Sequence, residues 1–105
     1  MIYHIAEHAV WAATAESYRP PSLEREGFIH LSTNKQVLRT AARFYCGRTD
    51  LLLLAVDPGA LQAEMRYEEA EPGEFFPHLY GPLNLDAIVA VLEFQPEPDG
   101  TFRMP

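Results

Sequence analysis

The sequence predicts an α+β fold: a mainly antiparallel β-sheet with two main helices packed on it, in a single domain over residues 1–105. Three observations predict it. Short runs of alternating apolar residues recur along the chain, and the two clear helical patterns fall early rather than after every strand. The unbroken apolar run Leu51 to Val56 reads as a central strand buried on both faces. A chain of 105 residues has room for one hydrophobic core and no second domain.

Met1 to Ala6 reads as the first strand, with Tyr3 and Ile5 on one face and Ile2, His4 and Ala6 on the other. Glu7 to Ser17 is alanine-rich and places Val10, Trp11 and Thr14 on one helical face, until Tyr18-Arg19-Pro20-Pro21-Ser22 breaks the helix. Gly27 opens a second strand through Ser32, with Ile29 and Leu31 opposite Phe28, His30 and Ser32. Thr33 followed by Gln36 is a capping-box pattern for a helix over 34–46, which carries Val37, Leu38, Ala41, Phe44 and Tyr45 and stops at Gly47. After the central strand, Met65 to Glu69 alternates, and Pro72-Gly73 marks a turn. Two prolines and a glycine in Phe75 to Leu83 predict a short extended edge segment, and Ala87 to Phe94 a final strand. The tail Thr101 to Pro105 carries no signal that decides whether it packs back.

With 48% hydrophobic and 22% charged residues the chain can bury enough apolar surface to fold without disulfides or a structural metal. Cys46 is the single cysteine and matches no Cys-x-x-Cys spacing, which points to a reducing compartment. There is no basic, apolar leader pattern and no run of roughly 18 apolar residues, so the expected location is cytoplasmic, with no membrane partner. A net charge of −7 with scattered cations opposes unselective nucleic-acid binding.

His4 and His30 lie mid-strand, and if their strands are neighbours one sheet face presents two imidazoles beside the hydroxyls of Ser32 and Thr33. Each histidine has a plain structural account as a core residue bonded to a backbone carbonyl, and Thr33 one as a helix cap. His78 and Tyr80 sit in the proline- and glycine-braced loop Phe76-Pro77-His78-Leu79-Tyr80-Gly81-Pro82, the kind of rigid segment that lines ligand sites or caps a core. Arg66 and Glu68 share a strand face, either as a solvated ion pair or as a cation for an anionic ligand and a carboxylate for acid-base or oxocarbenium-stabilising work. The histidine intervals lack the i,i+3 or i,i+4 pairing of metal motifs, so no metal ligands are assigned. No Walker loop, Gly-x-Gly-x-x-Gly or Gly-x-Ser-x-Gly element is present.

The stretches Ile2-Tyr3-His4-Ile5, Gly27 to Thr33, Arg43-Phe44-Tyr45 and Phe76 to Leu83 resemble the bacterial and plant domain-of-unknown-function family 952 over nearly the whole chain. That family has no established activity. Its fold is similar to that of the ADP-ribosyltransferase superfamily, which implies a split sheet with an NAD-type cleft between its halves. The resemblance implies that His4 contacts a ribose hydroxyl or the nicotinamide amide, and that His30, Ser32 and Thr33 line the same cleft. It also implies that Arg66, Glu68, His78 and Tyr80 flank it, with Glu68 and His30 as catalytic groups. The chain has no recognisable Ser-Thr-Ser or Glu-x-Glu element of such transferases.

Three function classes share these residues. They are an NAD- or nucleotide-related enzyme of ADP-ribosyl-transfer type, a non-enzymatic small-metabolite or partner-binding domain, and, third, a metal-dependent hydrolase. A cleft in which His4, His30 and His78 converge is what the first two require.

Overall fold

A computed structural model describes residues 1–105. The chain runs through β1 (Ile2–Glu7), α1 (His8–Ala12), β2 (Ser17–Tyr18), α2 (Pro21–Glu26), β3 (Ile29–His30), β4 (Ser32–Thr33) and α3 (Val37–Phe44). Then follow β5 (Leu51–Val56), β6 (Glu64–Glu71), β7 (Glu74–Tyr80), β8 (Leu83–Asn84) and β9 (Ile88–Glu93), with 3₁₀ turns at Pro58–Ala60 and Leu85–Ala87. The strands form a four-stranded sheet ordered β4-β1-β5-β9, a three-stranded sheet ordered β3-β7-β6 and a ribbon β2-β8, and every pairing is antiparallel. The architecture is α+β, with three helices rather than two.

β5 lies between β1 and β9 and all of its residues are buried, as its apolar run predicts. Its alternation divides two cores. Leu52, Leu54 and Val56 join Ile2, Ala6, Ile29, Leu31, Leu79 and Leu83. Leu51 and Leu53 join Ile5, Val37, Ala41, Phe94 and Phe102. The four-stranded sheet is therefore covered by the three-stranded sheet on one face and by α3 and the C-terminal tail on the other. Each buried leucine contributes roughly 2 kcal/mol of transfer free energy, which explains why so short a chain needs both layers.

Four expectations are corrected. The helix predicted over Glu7 to Ser17 ends at Ala12, because Tyr18, only 1% exposed, pairs with Leu83 and draws the preceding chain into extended form. The proline break is itself a helix start: Pro20 precedes α2 and Pro21 is its first residue, where a missing N–H costs nothing. Gly27 does not open a strand but closes α2 in the left-handed region (φ 87°), leaving two short strands where one was expected. β7, expected at an edge because of Pro77, is central in its sheet. The Pro77 carbonyl accepts from Leu31 N at 3.0 Å, so the nitrogen of Pro77 faces the same way and the ladder to β6 is intact.

The capping signal holds in part. Gln36 accepts from the Thr33 backbone N–H (3.0 Å) and also donates to the Phe75 carbonyl (2.8 Å), while the helix itself begins one residue later at Val37. The tail packs back: Phe102 stacks on Phe94 with ring centroids 4.7 Å apart, and Gly47 N donates to Gly100 O.

One feature of the topology positions the site. β3 and β4 belong to different sheets and are separated only by Leu31, where the chain crosses from one sheet to the other. β4 pairs with β1 only at Ile2↔Thr33 and Tyr3↔Ser32, so from His4 onward that edge of β1 has no neighbouring strand. A cleft opens there.

Candidate functional site

The cleft has a volume of about 440 Å³ and is lined from β1 (His4, Ile5, Glu7), Tyr18, the start and last turn of α2 (Pro21, Ser22, Arg25), His30, Ser32, the middle and end of α3 (Thr40, Phe44) and the following Tyr45 and Arg48. A more open hollow along α1 brings together small residues and Arg19 but no converging polar set.

At the buried end, His4 (8% exposed) has both ring nitrogens engaged. Its Nδ1 is 2.7 Å from the His30 carbonyl and its Nε2 is 2.8 Å from the Tyr18 hydroxyl. Burial pulls the His4 imidazole down to about pH 4, so it is neutral at pH 7, and burial pushes the Tyr18 phenol up. The Tyr18 ring is fixed edge-on to His4 (5.2 Å) and against Trp11 (5.7 Å).

Toward the rim, Arg48 is bound by Glu7 and Asp50 and lies over the Tyr45 ring at 5.5 Å. Arg25 forms no ion pair. Of the eight cations, Arg39, Arg43, Arg48, Arg66 and Arg103 pair with carboxylates, which leaves Arg19, Arg25 and Lys35, and Arg25 alone of these lines the cleft. An unpaired guanidinium in a chain of net charge −7 is a ready partner for an anion.

A second group lies on the outer face of the three-stranded sheet, where His30, His78 and Arg66 form one cross-strand row. His78 donates from Nδ1 to Glu68 Oε1 (2.9 Å), and the Tyr80 hydroxyl donates to the same oxygen. The hydroxyl first, and His78 second, hold the Glu68 carboxyl below the usual carboxylate range. Phe28 stacks on His78 at 4.2 Å, and the His78 Nε2 is buried with no partner. Arg66 sits over the Tyr80 ring at 4.4 Å and pairs with Glu64, not with Glu68 as the shared strand face suggests.

His30 joins the two groups. Its ring lies 5.5 Å from that of His78, its Nε2 is 2.6 Å from Glu26, and the residue lines the cleft. The structure thus brings His4, His30 and Ser32 to the cleft but keeps His78, with Glu68, Tyr80 and Arg66, on the adjoining sheet face, so the three histidines do not converge in one cleft as expected: β7 turns Leu79 into the core and His78 to the other side. Thr33 lies outside the lining, at the start of the turn into α3. No three His, Cys, Asp or Glu side chains stand close enough to share a metal ion. No helix is long and apolar enough to cross a membrane.

Sequence reasoning missed Tyr18, Arg25 and Arg48. The signal for Tyr18 was the following Pro20-Pro21, since proline favours an extended predecessor and an extended residue beside it can reach a sheet. Nothing local marks Arg25 or Arg48, because a lone arginine is usually solvated.

The family model for the protein family of unknown function DUF952 matches residues 5–91. The chain belongs to the DUF952 family. Among solved structures, this DUF952 chain is similar to the X-ray crystal structure of protein CC0527 from Caulobacter crescentus, at 32% identity, over 97% of this chain and 92% of that one, with a TM-score of 0.88. The solution NMR structure of the same Caulobacter crescentus protein is similar at 33% identity over 95% and 89%, with a TM-score of 0.78. Among curated proteins none matches.

Proposed function

We propose that the cleft at the split between the two sheets binds an anionic, nucleotide-type small molecule, NAD or ADP-ribose in the leading case, on an ADP-ribosyltransferase-like scaffold. The observation that carries this reading is Arg25, the one unpaired cation in the cleft of an acidic protein, which shares that cleft with a buried and neutral His4–Tyr18 pair. A phosphate suits the guanidinium and an uncharged hydrogen-bonding group the buried pair. The volume of about 440 Å³ falls in the range of roughly 300–1,000 Å³ typical of small-ligand sites. Phe44 and Tyr45 supply aromatic faces for a base, and Ser22 and Ser32 hydroxyls for a ribose.

In an ADP-ribosyl transfer, NAD would supply the ribosyl group and the nicotinamide that leaves. Glu68, whose carboxyl the bonds from Tyr80 and His78 hold below the usual carboxylate range, would hold a ribose hydroxyl and favour the positive charge that develops on the sugar. His30, between the two groups, would orient the ribose. A second reading, binding of a small metabolite without turnover, is favoured by the fact that Glu68 does not line the cleft.

Calorimetry on the intact chain tests the first reading. Saturable binding of NAD or ADP-ribose that weakens tenfold or more in Arg25→Ala and is lost in His30→Ala is expected. No binding at millimolar ligand refutes it. Turnover of NAD by the native chain that disappears in Glu68→Gln, with binding kept, favours the enzyme. Binding without turnover favours the metabolite-binding domain.

A further inference from the structure

The hydrogen bonds of His4 settle which atoms at the buried end of the cleft donate and which accept. A backbone carbonyl can only accept, so the 2.7 Å contact between Nδ1 and the His30 oxygen places the ring proton on Nδ1. In a neutral imidazole Nε2 is then an acceptor, and the Tyr18 hydroxyl 2.8 Å away donates its only proton to it. The phenol oxygen has no other partner in the fold and is left with lone pairs alone. His4 has no free ring nitrogen to offer a ligand.

We infer that Tyr18, oriented by His4, determines specificity at the buried end of the cleft: its oxygen accepts a hydrogen bond from an uncharged N–H or O–H donor and excludes a carboxylate. This rests on the cleft being a ligand site as proposed above. His4 is a positioning residue and does not itself touch the ligand. A charged His4 would reverse both bonds, turning Nε2 into a donor and freeing the Tyr18 proton to point outward. Burial opposes that charge, because the ring is enclosed by β1, Tyr18 and the crossing at His30 and Leu31. The rings of Trp11 and His4 hold the phenol in place, so specificity here is built from a rigid aromatic group rather than a mobile chain. A ligand carboxylate against the Tyr18 oxygen would face an acceptor whose only proton is held by His4, an unpaired and costly contact for an anion in a buried setting.

Two readouts test this separately. Nitrogen-15 NMR of the free protein at pH 7 is expected to show His4 protonated at Nδ1 and bare at Nε2, with the Nε2 resonance shifting in Tyr18→Phe. A ring protonated at Nε2 overturns the inference whether or not any ligand binds. Calorimetry then compares NAD with its counterpart in which nicotinate replaces nicotinamide. A preference of about tenfold or more for the carboxamide is expected in the native chain, and its loss in Tyr18→Phe, whose ring keeps the packing. Equal affinity for the two forms in the native chain overturns the donor rule. Binding of neither form refutes the nucleotide reading and the donor rule with it, and leaves only the tautomer to stand or fall by the NMR.

Discussion

Lowering the pH should unfold this protein partly through one residue, His4. Its ordinary value of 6.5 falls to about 4 in the fold because burial disfavours the charged ring. Between those values the unfolded chain binds a proton that the folded chain does not, so stability rises with pH across this window and is lost as pH falls through it. The proton affinity differs by a factor of about 300, which corresponds to about 3 kcal/mol at pH 4 and below. That is a large share of the roughly 5–15 kcal/mol expected for a domain of this size. Urea unfolding measured from pH 4 to 7.5, on the native chain and on His4→Gln, isolates the residue from the carboxylates that titrate alongside it. The native chain should lose about 3 kcal/mol more than the variant over this range, and the His4 ring should show no NMR titration above about pH 5. Parallel stability curves for the two proteins, or a His4 midpoint near 6.5, would refute the claim that burial holds the ring's proton affinity down.

Other outcomes follow from the packing. Phe102→Ala should cost about 3 kcal/mol in chemical unfolding despite its place in the tail, since the ring is buried on Phe94; a change under about 0.5 kcal/mol would show that the tail is not part of the core. Gly27→Ala and Gly81→Ala should separate backbone conformation from crowding. At Gly27 a Cβ meets nothing within 4 Å and only the positive φ opposes it, about 1 kcal/mol, whereas at Gly81 it would stand 2.7 Å from Ala63 Cβ and cost more. Equal melting temperatures in the two variants would contradict this. Gln36→Ala removes both the bond to Thr33 N and the one to the Phe75 carbonyl, so a loss of about 1–2 kcal/mol is expected, measurable by thermal unfolding.

Much of the candidate site was legible because period-two alternation is a local property. It set His4 against Tyr3 and Ile5, and it set His30 against Ile29 and Leu31, and the fold keeps both divisions. Proline was read less well. In Pro20-Pro21 and in Pro77 the missing N–H suggests a break or an edge, yet at a helix N-terminus that N–H is not needed, and in β7 it faces the Leu31 side and leaves the ladder to β6 intact. Arg66 and Glu68 were a natural pair on one strand face, but the cross-strand neighbours of each, His78 and Phe76, were invisible without register.

Composition and periodicity, which act over a few residues at a time, were enough for the α+β class, the doubly buried β5, a helix following Thr33 and the strand faces that carry His4 and His30. Packing between distant segments sets the parting of β3 and β4 at Leu31 into different sheets, the cleft that opens beside His4, and the presence of Tyr18 and Arg25 in its lining. Those facts depend on contacts between residues far apart in the chain, such as Tyr18 with His4 and Leu83. The geometry that completes the site is set by how the two sheets pack, and no local pattern encodes it.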